Sequence, residues 1–465
     1  MKKFAIIHGE LSNPIQKNTI KILSQFLLDY TLEYPACFKT GEEKLTDEFR
    51  PIYIGTKTNN EFINKNSLNT LTKSQEYAIS IKNEKTIIEG FDDLGALYGA
   101  IDFYNKYIIK FEFPHDDRYC VNFFEENMPD FEYTSSPAVC ERGIWTWGHV
   151  IYDYTDFIDN MMKLKMNTII IWNDFVPVNA KEMVQYAHDC GIKIYWGFAW
   201  GWDTDCNLIS IEDLKTKSRE IFELYEKNYA HLGGDGIYFQ SFTELKAETL
   251  GGKLIADAVT EFVNDTSKIF YEKYPHLEIQ FGLHATSVKA RLEYIEKTDK
   301  RIRIVWEDCG SFPFSYIPND LETFEETLSL TKKIATLRGN QDKFGVVTKG
   351  LTKLSWFDFS HLDGPLYIGT SSKTMKANRV ARKRKIWKYL QAYWLTNSDK
   401  VYEMIRAMAN AKNGDLVITA LVEDGMFEEN IMFPVALFSE MLWDNKTEIN
   451  QMINEVALRD YVEFA

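Results

Sequence analysis

Residues 167–172, Asn167-Thr168-Ile169-Ile170-Ile171-Trp172, lead through a helical pattern at 180–190 into Lys193-Ile194-Tyr195-Trp196-Gly197-Phe198. A short apolar strand, an amphipathic helix and a second apolar strand in that order imply parallel pairing through a right-handed crossover. The same rhythm runs outward in both directions. Upstream, residues 143–147 form a strand pattern and 153–164 a helix pattern. Downstream, strand patterns at 236–239, 278–283, 301–306 and 344–348 alternate with helix patterns at 211–229, 253–273, 290–296 and 321–338. Residues 365–369 supply a weaker eighth strand. Eight such units in about 230 residues match the roughly 250 typical of a (β/α)₈ barrel, also called a TIM barrel. A doubly wound open sheet follows from the same alternation, but no G-x-G-x-x-G follows the first strand to support it or a dinucleotide role.

The flanking sequence reads differently. Before residue 130, the strand patterns Pro51–Gly55, Glu76–Ile81 and Thr86–Gly90 precede a helix from Asp92, whose Gly95, Ala96, Gly99 and Ala100 suit close contact with a sheet. The expected organisation is an N-terminal α+β accessory domain over 1–130, a catalytic barrel over 140–375 and a C-terminal helical region over 376–465. That last region carries helix patterns at 379–395 and 398–412.

Composition narrows the function classes. The chain has 465 residues, with 68 acidic and 53 basic side chains and a formal charge of −15. That balance argues against nucleic acid as a partner; the dense basic run at 373–388 reads as a solvated helix face. The N-terminus has only a four-residue apolar run after its two lysines, short of a secretory signal, and no run approaches a membrane span, so a cytoplasmic location without membrane association is expected. The six scattered cysteines show no CxxC spacing, and no histidine cluster proposes a metal. Neither a cofactor nor a metal is expected, and the sequence does not specify an oligomeric state.

In a barrel of this kind chemistry gathers at the C-terminal ends of the strands. Eight of the eleven tryptophans (145, 147, 172, 196, 200, 202, 306 and 356) fall in or just after strand patterns. Flat aromatic faces stack on the C–H faces of sugar rings. Trp145, Trp147, Trp172, Trp196, Trp200, Trp202 and Trp306 are therefore candidate substrate platforms, although tryptophans also fill cores. Carboxylates at strand ends are the second signal. The fourth strand runs into Glu244, the sixth into Glu307 and Asp308, the second into Asn173 and Asp174, and the third reaches Asp203. Glycosidic cleavage uses one carboxylic acid to protonate the departing oxygen and one carboxylate to activate water or to attack. Glu244 and one of the Glu307–Asp308 pair are the candidates; adjacent strand residues point to opposite faces, so one of that pair is structural. His149 and His284 follow the first and fifth strands. Lys349, at the end of the seventh, is placed to meet an anionic sugar, whereas Arg142 begins the first strand at the opposite end.

These residues resemble a known group. Glu76–Ile81, Thr86–Gly90 and Gly95–Gly99 are similar to the accessory domain of α-glucuronidases and β-N-acetylhexosaminidases. Arg142–Trp145, Lys163–Thr168 and Asp235–Glu244 are similar to the barrel of the same group, and the likeness covers roughly residues 50–370. The resemblance implies a glycoside hydrolase acting on an oligosaccharide, with Glu244 as the acid and Asp308 matching the strand-six aspartate, a base candidate. Hexosaminidases carry an adjacent Asp-Glu pair after strand four, where this chain has Thr243-Glu244. The α-glucuronidases place a glutamate on strand seven, where this chain has Lys349. An α-glucuronidase-like enzyme is the expectation; a hexosaminidase-like glycosidase and a non-catalytic carbohydrate-binding barrel are the alternatives.

Overall fold

The computed structural model describes residues 2–110, 128–147, 151–172, 177–201, 210–242, 248–284, 291–308, 323–353, 373–412 and 415–465. Two compact units divide the chain, one built on residues 1–137 and the other on most of 138–465.

The first unit is a six-stranded sheet. Its strands are β1 (Lys3–His8), β2 (Ala36–Lys39), β3 (Phe49–Gly55), β4 (Tyr77–Lys82), β5 (Lys85–Gly90) and β6 (Phe131–Ser135), in the order β2-β1-β3-β5-β4-β6. β1, β2, β3 and β5 run parallel, while β4 pairs antiparallel to β5 and β6. Helices Pro14–Thr31 and Asp93–Lys106 pack against each other. The second begins at Asp92, whose side chain accepts the Gly95 N–H at 2.8 Å. A Cβ at Gly99 would stand 2.8 Å from Ile88 Cγ2 and 3.2 Å from the Tyr77 ring, and one at Gly95 would stand 2.3 Å from the Glu76 carbonyl. The small residues read from the sequence let this helix lie directly on the sheet.

The second unit is a closed barrel of eight parallel strands: Glu141–Trp145, Thr168–Trp172, Lys193–Gly197, Gly236–Phe239, Glu278–His284, Arg303–Glu307, Phe344–Leu351 and Leu416–Val422. Seven of these coincide with expected strands to within a few residues. The eighth does not. Residues 365–369 lie outside the described residues, and the closing position is held by Leu416–Val422, from the region expected to be purely helical. A helix of 39 residues, Lys373–Ala411, intervenes and merges the two shorter helices expected there.

Register fixes which side chains fill the barrel. Across neighbouring strands Trp145 pairs with Ile170, and Ile170 with Tyr195; His284 pairs with Glu307, and Glu307 with Val347. Successive strand residues face opposite sides. The inward set includes Trp145, Ile170, Trp172, Tyr195, Tyr238, Val305, Val347 and Leu421, which form one buried cluster. At the N-terminal end Glu141 closes the interior by accepting from Lys193 Nζ (2.7 Å) and Tyr195 Oη (3.1 Å). Among the described residues no helix is long and apolar enough to cross a membrane.

Candidate active site

At the C-terminal end of the barrel, parity places Tyr238 of the fourth strand and Gln240 just past it, His284 of the fifth, Glu307 of the sixth and Lys349 of the seventh on the inward face. They converge on Glu307. Its Oε1 accepts from Tyr238 Oη and from Gln240 Nε2, both at 2.5 Å, and its Oε2 accepts from Lys349 Nζ at 2.7 Å. Burial pushes the Glu307 carboxyl upward, but the Lys349 and His284 charges, with the hydrogen bonds from Lys349 and Tyr238, outweigh it. The group sits below the ordinary glutamate value and stays ionised.

Aromatic rings adjoin the partners of this carboxylate. The Trp145 ring lies 5.0 Å from Lys349 Nζ; Trp147 is centred 4.9 Å from Trp145 and 4.9 Å from Trp172; and Tyr238 is 6.0 Å from Trp145. Trp145 and Trp172 are buried, and Trp147 is half-buried above them. Trp147 (φ 45°) and Phe242 (φ 44°), just past the first and fourth strands, hold left-handed backbone that costs a bulky residue about 1–3 kcal/mol.

A glycine makes the carboxylate pocket possible. A Cβ on Gly282 would fall 2.3 Å from Tyr238 Oη and 2.7 Å from Glu307 Oε1. Gly282→Ala should therefore cost about 1–3 kcal/mol by overpacking and separate Tyr238 from Glu307. Thermal melting checks the first effect; an unchanged melting temperature would mean that the pocket has slack.

The other expected site residues separate into three groups. Asp308 is fully buried but lies one residue out of phase with Glu307, and its Oδ1 accepts the Lys349 backbone N–H at 2.8 Å. It joins the sixth strand to the seventh. Trp196, Trp200 and Trp306 were expected to face ligand, and the strand register turns them away from the interior. Trp196 lies against Tyr229 (5.7 Å) and Gly234; Trp200 stacks on Phe239 (3.6 Å) and on Phe270 of the helix Ile255–Lys273 (5.5 Å). Trp306 takes the outward position between Val305 and Glu307 and is fully buried. These three fill the layer around the barrel because aromatic area is stabilising wherever strand meets helix. His149, Asn173, Asp174, Trp202, Asp203, Glu244 and Trp356 lie outside the described residues.

The eighth strand adds carboxylates that sequence reasoning missed. Glu423 follows Val422 directly; its Oε2 accepts from Thr352 Oγ1 (2.8 Å) and the Lys353 N–H (3.0 Å), and its Oε1 from Lys383 Nζ (2.7 Å). Residues 349–353 thus hold Glu307 and Asp308 on one side and Glu423 on the other. The signal was present as Leu416-Val417-Ile418-Thr419-Ala420-Leu421-Val422-Glu423-Asp424, an apolar run ending in two acids. Among the described residues no group of three or more histidine, cysteine or acidic side chains is placed to hold a metal ion.

No protein-family profile matches the chain, and neither does any curated protein. Solved structures do resemble it. CpGH84B aligns over 98% of this chain and 70% of its own, with TM-score 0.56 and 12% identity. A GH138 enzyme targeting pectin rhamnogalacturonan II aligns over 97% of this chain with TM-score 0.55 and 13% identity. BtGH115A, a 4-O-methyl-alpha-glucuronidase with specificity for decorated arabinogalactans, aligns over 95% with TM-score 0.52 and 13% identity. All three are glycoside hydrolases. At these identities the likeness is one of fold. The chain spans 65% of the second protein's length and 56% of the third's.

Proposed function

We propose that this chain is a glycoside hydrolase of the α-glucuronidase-like kind, cleaving a glycan that bears a uronic acid. The carrying observation is Glu307, an inward carboxylate near the C-terminal end of the barrel kept ionised by Lys349, whose partners Lys349 and Tyr238 adjoin the cluster of Trp145, Trp147 and Trp172. Its role is that of the ionised partner, base or nucleophile. Glu244, five residues past the fourth strand, is the acid that protonates the leaving oxygen. Two of the similar structures, an α-glucuronidase and an enzyme targeting pectin rhamnogalacturonan II, favour an acidic sugar as the substrate.

The test is a panel of aryl glycosides, uronides included. Faster aglycone release from an aryl α-glucuronide than from the matching glucoside is expected; the opposite order would sink the uronide reading. A barrel that binds glycan without cleaving it is the second reading. It is favoured by the complete burial of Glu307, both of whose oxygens already accept hydrogen bonds. Calorimetric binding of an oligosaccharide with no turnover of any panel member would select it.

A further inference from the structure

Residues 373–398 carry eight basic side chains and no acidic one, on a chain whose formal charge is −15. They open the long helix Lys373–Ala411. Two contacts locate that helix against the barrel: Lys412, just past its end, donates to the Gly339 carbonyl (3.0 Å), ahead of the seventh strand, and Trp394 Nε1 donates to the Gly350 carbonyl (2.9 Å), at that strand's C-terminal end. Residues 394–411 therefore span the barrel from its N-terminal end to its mouth. The preceding 373–393 extend about 30 Å further at 1.5 Å per residue, on the mouth side. They rest on the chain after the eighth strand, through Trp387 Nε1 to the Asp424 carbonyl (3.0 Å) and Arg379 to Glu428 (2.6 Å).

The eight cations divide cleanly. Lys376, Arg379 and Lys383 turn toward the protein and pair with Glu429, Glu428 and Glu423. Lys373, Arg382, Arg384, Lys385 and Lys388 are exposed and have no acidic partner among the described residues. On a chain of net negative charge, these five exposed cations together form a positive strip that no acid among the described residues compensates. Arg382, Lys385 and Lys388 follow i, i+3, i+6 and share one face, with the exposed ring of Tyr389 beside them. The net negative field does not cancel this strip at contact, because charges more than about 10 Å away are largely screened at 0.1 M salt.

We infer that this helix face binds the anionic chain of a polyuronide whose end enters the barrel mouth. A polyuronide carries one carboxylate per ring along an extended chain, which suits a line of separated cations, and its C–H faces suit Tyr389. The inference rests on the glycoside hydrolase reading for its choice of polyanion, and its position beside the mouth supports glycan over nucleic acid.

The test uses the full chain and the variant R382Q/R384Q/K385Q/K388Q. All four side chains are exposed, so the melting temperature should hold. In affinity electrophoresis, polygalacturonate should retard the wild type, added salt should abolish the retardation, and the variant should bind about tenfold more weakly or worse. Turnover of a small aryl glycoside should be the same in both proteins. Absence of retardation, equal retardation of the variant, or tighter binding to single-stranded DNA than to polygalacturonate would overturn the inference. Wild-type binding to polygalacturonate that the variant loses, without turnover of any glycoside, would keep the surface and remove the hydrolase reading. Turnover without polymer binding would do the reverse.

Discussion

Glu307→Gln is expected to lower turnover by about 10²- to 10⁴-fold, the usual contribution of a positioned acid–base group, while glycan binding at the mouth survives. Glutamine keeps the shape and the acceptor oxygen for Tyr238 but cannot activate water or attack. The substitution also removes the Glu307 ion pair from Lys349, which is 1% exposed, and breaking a buried pair by changing one partner costs about 3–5 kcal/mol. The double variant Glu307→Gln, Lys349→Met separates the two effects. It should regain melting temperature and remain inactive; recovery of turnover would mean that the single variant had only been misfolding. Azide should rescue Glu307→Gln by forming a glycosyl azide. The anomer released by the wild type, read by proton NMR, then distinguishes base from nucleophile. Asp308→Asn should turn over almost normally, because an amide oxygen still accepts the Lys349 N–H. An inactive Asp308→Asn beside an active Glu307→Gln would exchange the roles.

The same carboxylate sets a pH dependence. Its folded pKa lies below the ordinary 4.5, so its stabilisation is fully present above that value. It is lost as pH falls from about 4.5 through the lower folded value. Acid unfolding of the wild type should therefore steepen below pH 4.5, and the double variant should lack that component.

Much of the barrel was readable because each strand is a short apolar run bounded by a helix, and in seven cases the two periods alternate without interruption. The eighth strand broke the rule only in spacing: a 39-residue helix separates Leu416–Val422 from the seventh, so an apolar run ending in Glu423 was absorbed into a helical tail. The site was less legible, for a reason of register. Alternation says that Trp306 and Glu307 face opposite ways, but not which of them faces in. The neighbours decide: Glu307 pairs with His284 and Val347, and closure of the barrel sets that register. Tryptophan placement misled in the same way, since Trp172 points inward and Trp196 outward although both lie near strand ends. Lys349 was read as a cation for an anionic sugar, and its ion pair with Glu307 shows that its charge first serves the carboxylate.

Glu244→Gln should separate substrates by leaving group. The fourth strand ends at Phe239, and Ser241 Oγ donates to the Trp200 carbonyl at 2.9 Å. Phe242 then takes a left-handed conformation, a strained turn immediately before Thr243-Glu244. Strain of this kind persists where the surroundings over-determine it, which at a strand end of a barrel points to function. As the proposed acid, Glu244 would protonate the departing oxygen, so its value would scale with the basicity of the leaving group. On an unactivated oligosaccharide the variant should lose about 10²- to 10⁴-fold in turnover. On an aryl glycoside with a strongly acidic phenol it should lose far less, because that oxygen departs without a proton. The basic limb of the pH–rate profile should also disappear, since that limb reports deprotonation of the acid. Equal losses on both substrates, with the basic limb intact, would make Glu244 a positioning residue and send the search for the acid to Glu423 at the end of the eighth strand.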